Sequence, residues 1–260
     1  MPPARTWDRA GNLPVAVNGR TRPEIAALDA DLPTVGGLFT FMRDAELRFD
    51  TLRMRVEEHA WTARGEQVVA TDVWLRHPGE VKVLTSDAAA GVGAPYEVWL
   101  TDGSTVRTFV SSSKVGTRRR VRPRVRGADS PDLPGMSRIY DPITALPMET
   151  LPEVFIHPAG YCQNTLATGA CLIAGTTEVS GREAVVLECA RPRSVERVAD
   201  RPDFGIRIAV DRETGAILRL EESVGGVPTR DAIATVFEPD APLPPAVFDF
   251  TFPSDTTFMY

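Results

Sequence analysis

Apolar and polar residues alternate along much of this chain. From Leu47 the period is two: Phe49, then Leu52, Met54 and Val56 are separated by Arg53, Arg55 and Glu57. Successive side chains of a strand point to opposite faces, so the pattern predicts a long strand that ends at the turn Arg64-Gly65-Glu66. A second run from Gln67 to Arg76 carries Val69, Val73 and Leu75 on one face and Val68, Ala70 and Trp74 on the other, which completes a hairpin. Near the C-terminus, Ile206, Ile208 and Val210 alternate with Arg207 and Ala209. Asp211 to Gly215 then interrupts, and Ala216, Leu218 and Leu220 resume. An acidic residue and a glycine between two alternating arms predict another hairpin, because glycine accepts the positive φ of a tight turn.

Other strands are bounded by turn residues. His77-Pro78-Gly79 precedes a short strand at Val81 and Val83, and Asp87 to Pro95 reads as a loop of small residues. Asp102-Gly103 separates Tyr96–Leu100 from Thr105–Val110, both rich in the aromatic and β-branched residues that strands favour. Ser180-Gly181 joins strands at Leu172–Val179 and Glu183–Ala190. Gly225-Gly226 precedes a strand from Ala232 to Phe237, and proline-rich punctuation at Asp240–Pro245 leads to Phe248, Phe250 and Phe252. The chain is therefore predicted to be mainly β.

Helices are few. Residues 1 to 33 read as a polar N-terminal arm with a short helix from Pro23 to Leu28, and residues 34 to 260 as the β domain. A second helix is predicted after Gly36-Gly37, where Leu38, Phe41, Met42 and Ala45 recur at spacings of three and four. Residues 129 to 170 form a proline-rich insert, with short helices predicted at Pro142–Leu146 and Pro152–Ile156 and a loop at Tyr161–Ala170. Several strands are apolar on both faces: Trp74 stands opposite Val73 and Leu75, and Trp99 opposite Val98 and Leu100. Such a sheet needs a cover on its second side. The N-terminal helices and the proline-rich insert can supply that cover, or they can leave a cavity for a ligand.

Totals narrow the function classes. The net charge of −6 argues against general nucleic-acid binding, which depends on excess basic residues. Lys82 and Lys114 are the only lysines beside many arginines, a bias expected of GC-rich coding. No run approaches the roughly 20 apolar residues of a membrane-spanning helix. The first residues lack the apolar core of a secretory leader, so the chain as written is expected to be cytoplasmic, or extracytoplasmic if a leader has been removed. Three cysteines are too few for a disulfide framework, and one optional bridge, Cys162–Cys171, is the most they suggest.

Chemistry-bearing motifs are sparse. Gly-x-Ser-x-Gly, HExxH and phosphate-cradling glycine loops are absent. His157, Cys162 and Cys171 match no zinc spacing, and neither a metal nor a cofactor is expected. Ser111-Ser112-Ser113 beside Lys114 reads as a polar turn. The run from Arg118 to Arg126 places Arg120, Arg122, Arg124 and Arg126 on one face of a predicted edge strand. Its charge protects the edge from unwanted pairing; alternatively, its guanidinium groups contact an anion or an acidic partner.

The order of these turns resembles the LolA-like superfamily, which includes lipoprotein carriers and the N-terminal domain of the RseB/MucB regulators of anti-sigma factors. The resemblance is carried by His77-Pro78-Gly79, Asp102-Gly103, Asp211 to Gly215 and the closing Pro242 to Pro253, and spans roughly residues 38 to 253. It implies a single strongly curved antiparallel sheet, an unclosed half-barrel whose concave face is covered by short helices and accepts acyl chains or a lipid. In such a cavity Trp61, Trp74, Trp99, Leu100, Phe109, Met148 and Phe155 are the candidate lining. The family carriers have no catalytic centre, so the resemblance points to a binding protein for a hydrophobic ligand. Two other readings stand beside it: an enzyme that uses the same cavity for a hydrophobic metabolite, with His157, Tyr161 or a buried carboxylate turned into it, and a regulatory module that meets an acidic protein partner through the arginine edge strand.

Overall fold

In a computed structural model, residues 28, 31–91, 93–121, 142–192 and 203–259 are described. Among these residues twelve strands form one open sheet. Six follow one another in a meander: β1 (Thr51–Thr62), β2 (Gly65–Arg76), β3 (Glu80–Asp87), β4 (Tyr96–Asp102), β5 (Thr105–Val110) and β6 (Val115–Arg120). After the helices α2 (Leu151–Ile156) and α3 (Pro158–Asn164), a second meander runs through β7 (Ala170–Val179), β8 (Arg182–Ala190), β9 (Phe204–Asp211), β10 (Ile217–Val224) and β11 (Val227–Pro239). The two meanders join where β1 pairs antiparallel with β11. The last strand, β12 (Thr257–Met259), pairs parallel with β6, so the spatial order is β12-β6-β5-β4-β3-β2-β1-β11-β10-β9-β8-β7.

Period-two alternation sets the two faces. Leu52, Met54 and Val56 of β1 and Val73 and Leu75 of β2 belong to one buried cluster with Leu187, Ile206, Ile208, Leu218 and Leu220. Three helices complete it. The first, α1 (Val35–Arg43), contributes Leu38 and Met42, while α2 contributes Phe155 and Ile156 and α3 contributes Cys162. Thr34 caps α1 by accepting from the Gly37 amide at 3.1 Å, so the helix begins before the glycine pair rather than after it. Phe155 and Leu38 are fully buried, each worth roughly 2–3 kcal/mol in apolar burial.

A different element covers the other face. Trp74, Leu84, Val98, Leu100 and Phe109 pack under Leu243, Val247, Phe248, Phe250 and Phe252 of the C-terminal segment. Cations on the strands fasten that segment by donating to its carbonyl groups. Arg76 Nη2 reaches Leu243 O at 2.6 Å, Lys82 Nζ reaches Val247 O at 3.1 Å and Asp249 O at 3.3 Å, and Arg107 Nη1 reaches Phe250 O at 3.3 Å. Further along, Lys114 pairs with Asp255, so both lysines of the chain hold the same segment. Gly116 makes room for it: a Cβ there would stand 2.8 Å from the Phe252 ring.

Several expectations are corrected. Residues 142–146 form bends, not a helix, because their polar groups are used elsewhere: Thr144 Oγ1 meets His77 Nδ1 and accepts from the Gly79 amide, both at 2.7 Å, and the Ile143 amide donates to Glu46. The loop predicted at Tyr161–Ala170 is largely helical, with α3 followed by a 3-10 turn at Leu166–Thr168. Ala159, Cys162 and Leu166 recur at helical spacing and are buried. Strand β3 is longer than its two valines suggested, since it pairs along its length with both β2 and β4. The arginine run does stand at an edge over Arg118–Arg120, where among the described residues β6 pairs only with β5; just before it, at Val115–Thr117, the returning terminus adds β12, a long-range parallel pairing that no local pattern announces. The N-terminal helix predicted at Pro23 to Leu28 lies outside the described residues, apart from Leu28, whose amide donates to Arg212 O at 3.0 Å.

Candidate functional site

The strand ends of the second meander form a concave rim. An open cleft of about 600 Å³ lies where β8 and β10 finish and β7, β9 and β11 begin, and Trp61 at the end of β1 completes it. Its apolar lining includes Trp61, Leu172, Phe204 and Ile206. Trp61 and Leu172 are 41% and 54% exposed, unusual for large apolar side chains placed together on a concave surface.

The remaining lining is charged and orderly. Register sets Glu188 opposite Arg207, Arg207 opposite Glu221, and Glu221 opposite Asp231. Arg207 lies 3.6 Å from Glu188 and 3.5 Å from Glu221. Arg219 bridges Glu221 at 3.1 Å and grips Asp231 through two bonds of 2.9 and 2.8 Å. The result is a charge ladder, Glu188, Arg207, Glu221, Arg219 and Asp231, drawn from four strands, in which Arg219 bridges the two acids that the register sets opposite each other. Such half-exposed pairs are each worth about 0–1 kcal/mol, so their value lies in fixing side-chain positions. Hydrogen bonding to Asp231 raises the Arg219 pKa further, keeping that guanidinium charged.

Asp231 in turn stands opposite His59 on β1. The His59 ring meets Glu66 at 2.7 Å and Glu57 at 3.1 Å and stacks on Trp61 with centroids 6.1 Å apart. Those two carboxylates raise the His59 pKa above its ordinary value. At the same rim, Arg230 donates to Glu58 at 2.6 Å and lies 3.8 Å from Glu222. Tyr161 of α3 is within electrostatic reach of Glu222 and Arg230; burial chiefly, and the Glu222 charge next, push its phenol pKa up. Among the described residues its hydroxyl has no hydrogen-bond partner.

The residues proposed from sequence as one lining occupy different places. Trp61 lines the cleft. Trp74, Leu100 and Phe109 lie beneath the C-terminal segment, Trp99 and Phe155 belong to the main core, and Met148 is exposed. Arg120 is exposed at the end of β6, while Arg122, Arg124 and Arg126 lie outside the described residues. Cys162 and Cys171 are not neighbours in a bridge: Cys162 Sγ faces Met42 Sδ at 3.7 Å, and Cys171 faces Cys189. His157 is turned away from the cleft, buried 3.2 Å from Glu46. Sequence reading missed Leu172, Phe204, Ile206 and the charge ladder. The alternation of Arg207 and Arg219 with aliphatic residues was a signal, but only the register aligns those arginines with their acids.

Among the described residues no group of three or more His, Cys, Asp or Glu is arranged to hold a metal, and no helix is long and apolar enough to cross a membrane.

No family model matches the sequence, and no curated protein is significantly similar to it. Solved structures do match. MucB aligns with 84% of this chain and 62% of its own at 13% identity and a TM-score of 0.49, and the MucA/MucB complex of Pseudomonas aeruginosa with 84% and 61% at 15% identity and a TM-score of 0.48. LprF from Mycobacterium bovis aligns with 85% of this chain and 97% of its own at 11% identity, TM-score 0.39. A LolA superfamily protein from Nitrosomonas europaea covers 84% and 99% at 10% identity, TM-score 0.35. The chain thus spans about 62% of the length of MucB. At 15% identity or less, none of these four says what this chain binds.

Proposed function

We propose that this chain is a non-catalytic binding protein whose sheet curves as an unclosed half-barrel and which holds a lipid, acyl chain or apolar metabolite. Residues 34–260 act as the binding unit, and the rim cleft is where the ligand enters or rests. One observation carries the proposal: two exposed apolar side chains, Trp61 and Leu172, line a cleft of about 600 Å³ whose arginines are already paired with carboxylates. That volume falls within the range of small-molecule sites, and the paired ladder suits an amphipathic ligand, whose polar end meets fixed charges while its apolar end covers Trp61.

Native mass spectrometry of freshly purified protein, followed by denaturing extraction, tests for a resident ligand. Titration with a fluorescent fatty-acid probe tests the site itself. Trp61→Ala is expected to weaken the probe about tenfold, equivalent to about 1.4 kcal/mol, with little change in melting temperature because the residue is half exposed. A ligand-free protein that fails to bind the probe, or binds it equally well without Trp61, would sink the proposal.

A further inference from the structure

We propose that Cys171 and Cys189 form a redox-active pair, closing into a cross-strand disulfide at the edge of the cleft. The two residues are directly opposed in the β7–β8 register. Directly opposed residues of antiparallel strands have Cα atoms roughly 4.5–5.5 Å apart, inside the span a disulfide bridges without backbone movement. Their sulfurs face each other at 2.7 Å, and both lie against the Leu166 carbonyl oxygen, at 3.0 Å for Cys171 and 3.2 Å for Cys189. Cys162 stands apart on α3 against Met42, so the third thiol has a different neighbour.

Exposure assigns the roles. Cys171 is half-buried on the outermost strand, whereas Cys189 is 2% exposed and lines the cleft. An incoming small-molecule disulfide therefore meets Cys171. The Cys171 thiolate attacks one of its sulfurs, the S–S bond of the oxidant breaks, one half leaves as a thiolate, and the other half remains joined to Cys171. The Cys189 thiolate then attacks Cys171 Sγ, forms the protein disulfide and expels the second half. Two electrons and two thiol protons pass to the oxidant, which ends as two thiols. Burial raises both thiol pKa values, Cys189 to about 12, so the exchange is slow near neutrality and faster in alkali. Closure ties β7, which among the described residues has one strand neighbour, covalently to β8, and makes one wall of the cleft rigid. This inference stands independently of what the cleft holds.

The test is oxidation of the full chain with glutathione disulfide at mildly alkaline pH, then denaturation, alkylation and peptide mapping. Wild type is expected to lose two of its three alkylatable thiols and to show Cys171 linked to Cys189. Cys162 and Cys171 share a tryptic peptide, so the Cys162→Ser variant is mapped as well, and it is expected to retain the bridge. Cys189→Ser is expected to stop at a glutathione adduct on Cys171. The oxidised wild type is expected to melt higher than the reduced form, a shift that Cys189→Ser lacks. Three free thiols after oxidation, a persistent glutathione adduct on Cys171 in wild type, or a bridge that disappears in Cys162→Ser would each overturn the proposal.

Discussion

Gly79 and Gly103 meet backbone to backbone: a Cβ added to Gly79 would stand 2.8 Å from the Gly103 Cα, and one added to Gly103 would stand 3.2 Å from the Gly79 Cα. Both have positive φ, 89° and 82°. The two turns that end β2 and β4 therefore lock together, and neither accepts a side chain. Alanine at either position incurs a left-handed backbone cost of roughly 1–2 kcal/mol and an overpacking cost of roughly 1–3 kcal/mol. Thermal unfolding of Gly79→Ala and Gly103→Ala should show losses of about 2–5 kcal/mol each by those terms, with the double variant less than additive because the pair shares one contact. Wild-type stability in either single variant would contradict the contact.

The hairpin that closes the β9–β10 turn depends on a carboxylate. Asp211 is 1% exposed and accepts from the Thr214 amide at 2.8 Å, the Thr214 hydroxyl at 2.6 Å and Arg182 through two bonds of 2.8 and 3.0 Å. Asp211→Ala leaves Arg182, partly buried, without its main counter-charge. Breaking such a pair from one side costs about 3 kcal/mol or more. Denaturant unfolding of Asp211→Ala against Glu213→Ala separates the two acids, since Glu213 is largely exposed and its loss should cost below about 1 kcal/mol.

His59 gives stability a pH dependence. Its folded pKa is raised above the ordinary 6.5, so its contribution is fully present below that value and is lost as pH rises through the folded pKa. Proton NMR of the ring should place the midpoint above 6.5 in wild type and closer to it in Glu66→Gln, which removes the larger cause. The melting temperature should fall between about pH 6 and about pH 8 by more in wild type than in His59→Gln.

Lys82 fastens the C-terminal segment through Val247 and Asp249 and lies over the Trp74 ring at 5.9 Å. Lys82→Ala should destabilise the protein by about 2 kcal/mol, in keeping with charge-assisted hydrogen bonds. Limited proteolysis should cut residues 243–252 sooner in this variant, and Trp74 emission should shift to the red as water reaches it. Unchanged cleavage would mean that the aromatic contacts and the other cations, Arg76, Arg107 and Lys114, suffice to hold the segment.

The strands were legible because their period was regular: β1, β2 and the β9–β10 hairpin follow directly from Leu52-Met54-Val56 and Ile206-Ile208-Val210. Trp74 and Leu100 correctly signalled that a second face needed covering. What covered it was not legible, because Phe248, Phe250 and Phe252 lie more than a hundred residues from the strands they meet, and hydrophobic period carries no address. Helix α3 was missed for a related reason. Its glycine, asparagine and threonine neighbours look like loop, and only burial of Cys162 and Leu166 makes the helical spacing worthwhile. The cleft depends on register across five strands. A one-residue slip would turn Arg207 and Glu221 away from it, which is why single-strand patterns could not place it.

The seam between β1 and β11 has a consequence for how the chain assembles. Every other antiparallel neighbour in the sheet is also a sequence neighbour, so each meander can form from contacts close along the chain. Met54 meets Phe237 only after about 180 intervening residues have been gathered. Because the entropy of closing so long a loop precedes the pairing that rewards it, the seam is expected to form late, as the rate-limiting union of two hairpin stacks. Substitutions at Met54 or Phe237 would then accelerate unfolding chiefly to the extent that this union is incomplete in the transition state. The same geometry makes the molecule divisible: separately produced halves, each carrying one meander, have the β1–β11 edge and the C-terminal segment, with its β12 pairing to β6, by which to find each other.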